Sequence, residues 1–128
     1  MTDRVVLDAS ALLAMFNQEP GGAEVANALD RSMISAVNLT EVLTKLSDQG
    51  IDVAEAWEEI RLMEIDIVPF ESEMARRAAA LRATTRKAGL SLGDRACLAL
   101  GMARKASILT ADRAWRGLKL DADIRVVR

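Results

Sequence analysis

The sequence predicts an α/β protein, a short parallel sheet covered on both faces by helices, and two observations carry that prediction. Short, β-branched apolar runs alternate with longer stretches whose apolar residues recur at helical spacing, and parallel strands joined by helical crossovers are the arrangement that satisfies such an order. The chain has 128 residues, a length that suits one domain with its own core, and no internal repeat, low-complexity tract or linker divides it. A single domain over residues 1–128 is therefore expected.

The elements follow in order. A strand over 4–7 gives way at Asp8 to a helix start, and Pro20-Gly21-Gly22 marks a turn before a helix carrying Val25 and Leu29. A second strand is expected over 33–37, followed by a helix in which Leu39, Val42, Leu43 and Leu46 share a face and which Gly50 stops. Val53, Trp57 and Ile60 mark the next helix, and a third strand covers 65–69. Met74, Ala75, Ala78 and Ala79 mark a further helix, with Gly89 as its stop, and an apolar helix runs from 96 to 103. A strand over 107–110, a short helix through Trp115 and a strand over 124–127 complete the alternation.

Composition removes several function classes. Apolar residues make up 51% of the chain, yet no run approaches the roughly 20 residues of a membrane span. No secretory signal is legible at the start, so a cytoplasmic protein is expected. The single cysteine, Cys97, lies in an apolar helix and is expected to pack as a small hydrophobe. Histidine and tyrosine are absent, which leaves carboxylates to carry any acid–base or metal chemistry. The net charge of −2 gives no global attraction to nucleic acid. Its distribution is uneven: residues 48–66 are acidic, whereas 76–105 are basic, through Arg76, Arg77, Arg82, Arg86, Lys87, Arg95 and Arg104.

Four acids stand where elements change. Asp8 ends the first strand, Glu41 follows the second, Asp94 opens the apolar helix and Asp112 follows the fourth strand. Each also reads as part of a helix cap: Asn38 and Glu41, like Ser91 and Asp94, have capping-box spacing. Caps need not converge, whereas strand carboxyl ends in an open α/β sheet share one edge, where ligands bind. Four acids drawn to one crevice repel unless a cation lies among them, and an all-oxygen site suits Mg²⁺ or Mn²⁺ rather than zinc. Such a site activates water and steadies the leaving oxygen of a displacement at phosphorus, which is nuclease chemistry.

With those positions in hand, the chain resembles the PIN-domain ribonucleases and, within them, the VapC toxins of bacterial toxin–antitoxin pairs. The likeness rests on Leu7-Asp8-Ala9-Ser10, Asn38-Leu39-Thr40-Glu41, Leu90-Ser91-Leu92-Gly93-Asp94 and Leu109-Thr110-Ala111-Asp112, in that order along the whole chain. The resemblance implies a three-layer α/β/α fold with strand order 3-2-1-4-5, and Mg²⁺- or Mn²⁺-dependent endonucleolytic cleavage of RNA. It makes Asp8 the central metal ligand, has Glu41 and Asp94 complete the site, and gives Asp112 to water or a second ion. Ser10 and Thr110 match supporting positions, and Asn38 reads either as a further lining residue or as a helix cap. A homodimer and a cognate antitoxin are implied as well. Phe16, Met33, Trp57 and Met63 are candidate walls for the antitoxin's groove, with ordinary core as the alternative. Arg95 reads as a phosphate contact, with pairing to an acid or a solvent-facing position as the alternatives, and residues 76–87 as an RNA track or a solvated helix face.

Other classes fit less well. A haloacid-dehalogenase-like phosphatase expects a second aspartate two places after the first, where Ser10 stands. A receiver-like signalling domain expects adjacent acids early and a lysine after its last strand, and neither pattern is present. A PIN fold that binds RNA or a partner without cutting it is the remaining alternative.

Overall fold

Alternating apolar runs condense into five strands and six α-helices in the computed structural model, which describes residues 3–128. Met1 and Thr2, part of the expected domain, lie outside the described residues. In chain order these are β1 (Val5–Leu7), α1 (Ala9–Phe16), α2 (Gly22–Asn27), β2 (Ser32–Ser35), α3 (Ala36–Asp48), α4 (Val53–Leu62), β3 (Asp66–Val68), α5 (Ser72–Thr85), α6 (Leu92–Arg104), β4 (Ser107–Thr110) and β5 (Ile124–Val126). Single 3₁₀ turns occupy Leu29–Arg31, Arg86–Ala88 and Arg113–Gly117.

The sheet is wholly parallel, in the order β3-β2-β1-β4-β5, so β1 lies at its centre between β2 and β4. The expected order and class both hold. Because successive strand residues face opposite sides, Val5 and Leu7 join Ile34 and Leu109 in one core with α1 to α4, while Val6, Met33 and Ile108 join a second core under α6. A strand buried on both faces needs apolar residues at every position, which is why Val-Val-Leu shows no alternation.

One boundary and two buried faces stand out against the sequence reading, each for a local reason. The second strand stops at Ser35 rather than at 37, because the Ser35 hydroxyl accepts the Val37 N–H at 3.2 Å and caps α3. Asn38 is thus inside the helix and is not its cap. On α4 the buried face is Ala56 and Ile60, and Val53 and Trp57 stay exposed at 45% and 39%. The small alanine, not the indole, is what faces the core. On α5 only Ala78 and Thr85 are buried, and Glu73 pairs with Arg76 and Arg77 along the solvated face. Of the four candidate groove walls, Met33 belongs to the core at 1% exposed, whereas Phe16 and Met63 are half-buried.

The sheet's carboxyl edge is organised by α6, whose residues from Ala96 to Gly101 are buried without interruption. It approaches β4 so closely that a Cβ added at Gly101 would collide with Cγ1 and Cδ1 of Ile108. Gly101→Ala is therefore expected to destabilise the fold by about 1–3 kcal/mol, although alanine is the better helix former. Combining it with Ile108→Ala, which removes the colliding atoms, should cost less than the sum of the single changes. Chemical denaturation of that mutant cycle reads the coupling, and strictly additive losses would show that the two elements do not meet there.

Candidate active site

The central position of β1 decides where its last residue goes. Asp8 continues the ladder by donating its N–H to the Leu109 carbonyl at 3.1 Å, then leaves the strand as the N-cap of α1. Its side chain is 4% exposed and fully engaged. Oδ1 accepts the Ala11 N–H at 2.8 Å and the Ser10 hydroxyl at 2.7 Å, and Oδ2 accepts the Thr110 hydroxyl at 2.6 Å. The two hydroxyls stand 3.2 Å apart, and each accepts an N–H from the turn after β4: Ala111 onto Ser10 at 2.9 Å, and Asp112 onto Thr110 at 3.0 Å. The chain that ends β1 and the chain that ends β4 are thereby tied to one carboxylate.

The other acids arrive from helices around it. Glu41 projects from α3 and is half-buried, with Oε1 accepting from the Asn38 amide at 2.9 Å. The same Nδ2 donates to the Gly93 carbonyl on α6 at 2.9 Å. A Cβ at Gly93 would run into the Glu41 carboxylate, so a side chain there would displace that carboxylate from its place. Asp94 forms a capping box with Ser91: its Oδ2 accepts the Ser91 N–H at 3.0 Å, and the Ser91 hydroxyl accepts the Asp94 N–H at 3.1 Å. Asp112 caps the turn at Arg113–Gly117 by accepting the Ala114 N–H at 3.0 Å through Oδ1.

All four acids, with Ser10 and Asn38, line one cleft of about 420 Å³ at the carboxyl edge of the sheet. Thr110 is fully buried behind Asp8. Arg95 does not line the cleft, since the next position on α6 points elsewhere. Its Nη1 donates to the Ala78 carbonyl at 3.0 Å and docks α6 against α5. The sequence reading missed Lys45, which lines the cleft from α3 together with Thr40 and Thr44, opposite Leu13 of α1. Its signal was present in the spacing, for Lys45 follows Glu41 by one helical turn and so shares its face.

Electrostatics mark the buried acid. Desolvation pushes the Asp8 carboxyl up from 3.8 to about 6, against the lowering effect of the hydrogen bonds from Thr110, Ala11 and Ser10, and the Asp94 charge adds to the rise. Burial also raises Glu41, opposed by the Asn38 amide and assisted by Asp94. The Cys97 thiol, buried beneath this cluster, is pushed up by desolvation and then by Asp8, Asp94 and Glu41, which keeps it protonated and inert. Among the described residues no group of three or more acids or thiols is arranged so as to hold a metal ion. Their oxygens are instead turned to the helix starts and hydroxyls just described, so the cleft presents an open, all-oxygen donor set. Also among the described residues, no helix is long and apolar enough to cross a membrane.

Comparison with solved structures returns the same architecture. A toxin–antitoxin complex from Klebsiella pneumoniae contains a chain that is 18% identical, with a TM-score of 0.72 over 97% of this chain and 98% of that one. VapBC2 from Rickettsia felis, bound to a DNA fragment from its promoter, gives 14% identity and a TM-score of 0.73, covering 95% and 97% of the two chains. DNA-bound VapBC from Salmonella typhimurium gives 16% and 0.72, covering 99% and 100%. Comparison with curated proteins finds no match. Identities this low speak to the fold alone. The PIN domain model, however, matches residues 5–119, and by that match the chain belongs to the PIN domain family.

Proposed function

We propose that this chain is a divalent-metal-dependent endoribonuclease, the toxin of a toxin–antitoxin pair. The observation that carries the reading is the buried Asp8 carboxylate, raised to about 6 and set in one cleft with Glu41, Asp94 and Asp112. A fold that places four acids together and desolvates one of them gains from a cation among them. The donor set contains only oxygen, which suits Mg²⁺ or Mn²⁺. Family membership and the likeness to chains of toxin–antitoxin complexes support the same reading.

In this reading Asp8 is the central ligand, and Glu41 and Asp94 complete the first site. The bound ion supplies a Lewis acid for a phosphodiester and makes water more acidic. Ser10 and Thr110 hold the two Asp8 oxygens in place, so the ligand meets the ion without reorganising. Asp112 is exposed and commits only Oδ1 to its cap, leaving Oδ2 to orient water at the mouth of the cleft. Lys45 is the cation on the cleft wall that meets the phosphate of an incoming strand. Arg76 and Arg77 are already paired with Glu73, which favours a solvated face over an RNA track for that run. A cognate antitoxin and a second copy of the chain are the partners proposed, in the cytoplasm.

Incubating purified protein with a mixed RNA pool and Mg²⁺ or Mn²⁺ tests the activity directly. Discrete cleavage is expected, abolished by chelator and reduced at least about 100-fold by Asp8→Asn, an amount typical of losing a catalytic ligand. Metal-independent cutting, or no cutting by antitoxin-free protein, would move the reading to a binding module. Lys45→Ala should raise KM several-fold with kcat nearly unchanged and flatten the salt dependence of binding; an unaltered KM would remove Lys45 from the substrate path.

The raised Asp8 carboxyl also fixes a pH dependence. The folded state holds this proton more tightly than the unfolded chain, so the contribution to stability is complete below 3.8 and is lost as pH rises through about 6. The shift corresponds to about 3 kcal/mol. In chelator, the stability of Asp8→Asn relative to the native protein should therefore increase from pH 4 to pH 7 by up to about that amount, and added Mg²⁺ should shrink the gap. Melts of both proteins across this range check it, and a constant difference would mean that Asp8 stays ionised throughout.

A further inference from the structure

We propose that Asn38 is a positioning residue that clamps the Glu41 carboxylate onto the first turn of α6, and that this clamp sets the affinity of the cleft for a divalent cation. The inference rests on the metal-site reading above and goes beyond it by naming what holds two ligand-bearing helices in register.

Asn38 is 1% exposed, three residues before Glu41 on α3, and does not cap that helix, since Ser35 does. Its amide nitrogen spans two acceptors, Glu41 Oε1 and the Gly93 carbonyl, each at 2.9 Å. Both partners lack a proton to give, so the orientation of the amide is fixed by chemistry: the NH₂ must face them. A serine has one proton and an aspartate none, so neither can serve both acceptors. Fixing the NH₂ leaves Oδ1 buried with no donor, at a cost of about 1–3 kcal/mol. An amide kept for stability alone gains little from an arrangement that strands its own oxygen. The bond to α6 falls on Gly93, immediately before Asp94, and the missing side chain at Gly93 is what lets the Glu41 carboxylate come so close. One amide thus fixes both a ligand side chain and the backbone that carries the next ligand.

Mn²⁺ binding to the native, antitoxin-free protein, followed by calorimetry or by the electron-spin signal of free Mn²⁺, tests this without recourse to RNA. Asn38→Ala should raise the Mn²⁺ dissociation constant about tenfold or more, as loss of an outer-shell contact does. Asn38→Leu keeps the branched skeleton but has no donor, and should do the same. Because part of the clamp acts through Glu41, the loss in the double variant Asn38→Ala with Glu41→Gln should be smaller than the sum of the two single losses. Unchanged affinity in the Asn38 variants, or losses that add in the double variant, would overturn the clamp while leaving the metal site standing. Loss of the fold in both Asn38 variants would assign the residue to the core instead, and a native protein that takes up no Mn²⁺ would overturn clamp and metal site together.

Discussion

A carboxylate buried at the centre of the sheet is the constraint on which the rest of the molecule depends. Asp8 leaves β1 with four-per-cent exposure, and a charge so placed persists only if hydrogen-bond donors meet it. Ser10, Ala11 and Thr110 supply them, the first two from α1 and the third from the end of β4. Satisfying Asp8 therefore requires β1 and β4 to be neighbours, and it requires both strands to end at the same level. The parallel register Leu7 with Leu109 delivers that level. What is locally a helix cap is globally the joint between two halves of the sheet.

The second requirement is that helices approach this joint closely, and glycine is what permits it. At Gly101 a side chain would strike Ile108, and at Gly93 it would strike Glu41. Both lie on α6, so the same helix is brought down onto β4 by one glycine and across to α3 by the other. The resulting burial of α6 places Cys97 under three carboxylates, which raises its thiol and leaves the only sulfhydryl in the chain without chemistry. Arg95 serves the outer side of the same helix, bonded to the Ala78 carbonyl of α5.

Much of this was legible in the chain before its fold. Class, strand count and the four acids follow from runs such as Val-Val-Leu-Asp and Ser-Ile-Leu-Thr, because a doubly covered strand must be apolar throughout and must end where it meets water. Strand order came with the family resemblance rather than from periodicity. What stayed hidden depended on direction. Asn38 and Ser35 both offer capping chemistry within three residues, and it is the extended Ser35 that caps α3 while Asn38 lies buried inside the helix. Arg95 adjoins Asp94 in sequence, yet one step along a helix rotates a side chain by about 100°. Val53 and Trp57 share their period with Ile60, but the core takes Ala56 instead, since close packing against α3 is a matter of volume and not of hydropathy.

Capping, which the sequence suggests for each acid read singly, does not exclude a second role for the same carboxylate. Asp8, Asp94 and Asp112 each accept a backbone N–H at a helix or turn start. Each carboxylate nevertheless has a second oxygen or further lone pairs that the cap does not use. Capping holds a charged side chain in one rotamer and at one end of an element, which is the preorganisation a weakly bound hard cation needs. It also restrains mutual repulsion in the metal-free protein, because every acid has a donor of its own to turn to. Among the described residues no three of them are grouped as a ready-made ion site. A cluster assembled from helix caps is in this sense held in place by the backbone elements that it caps.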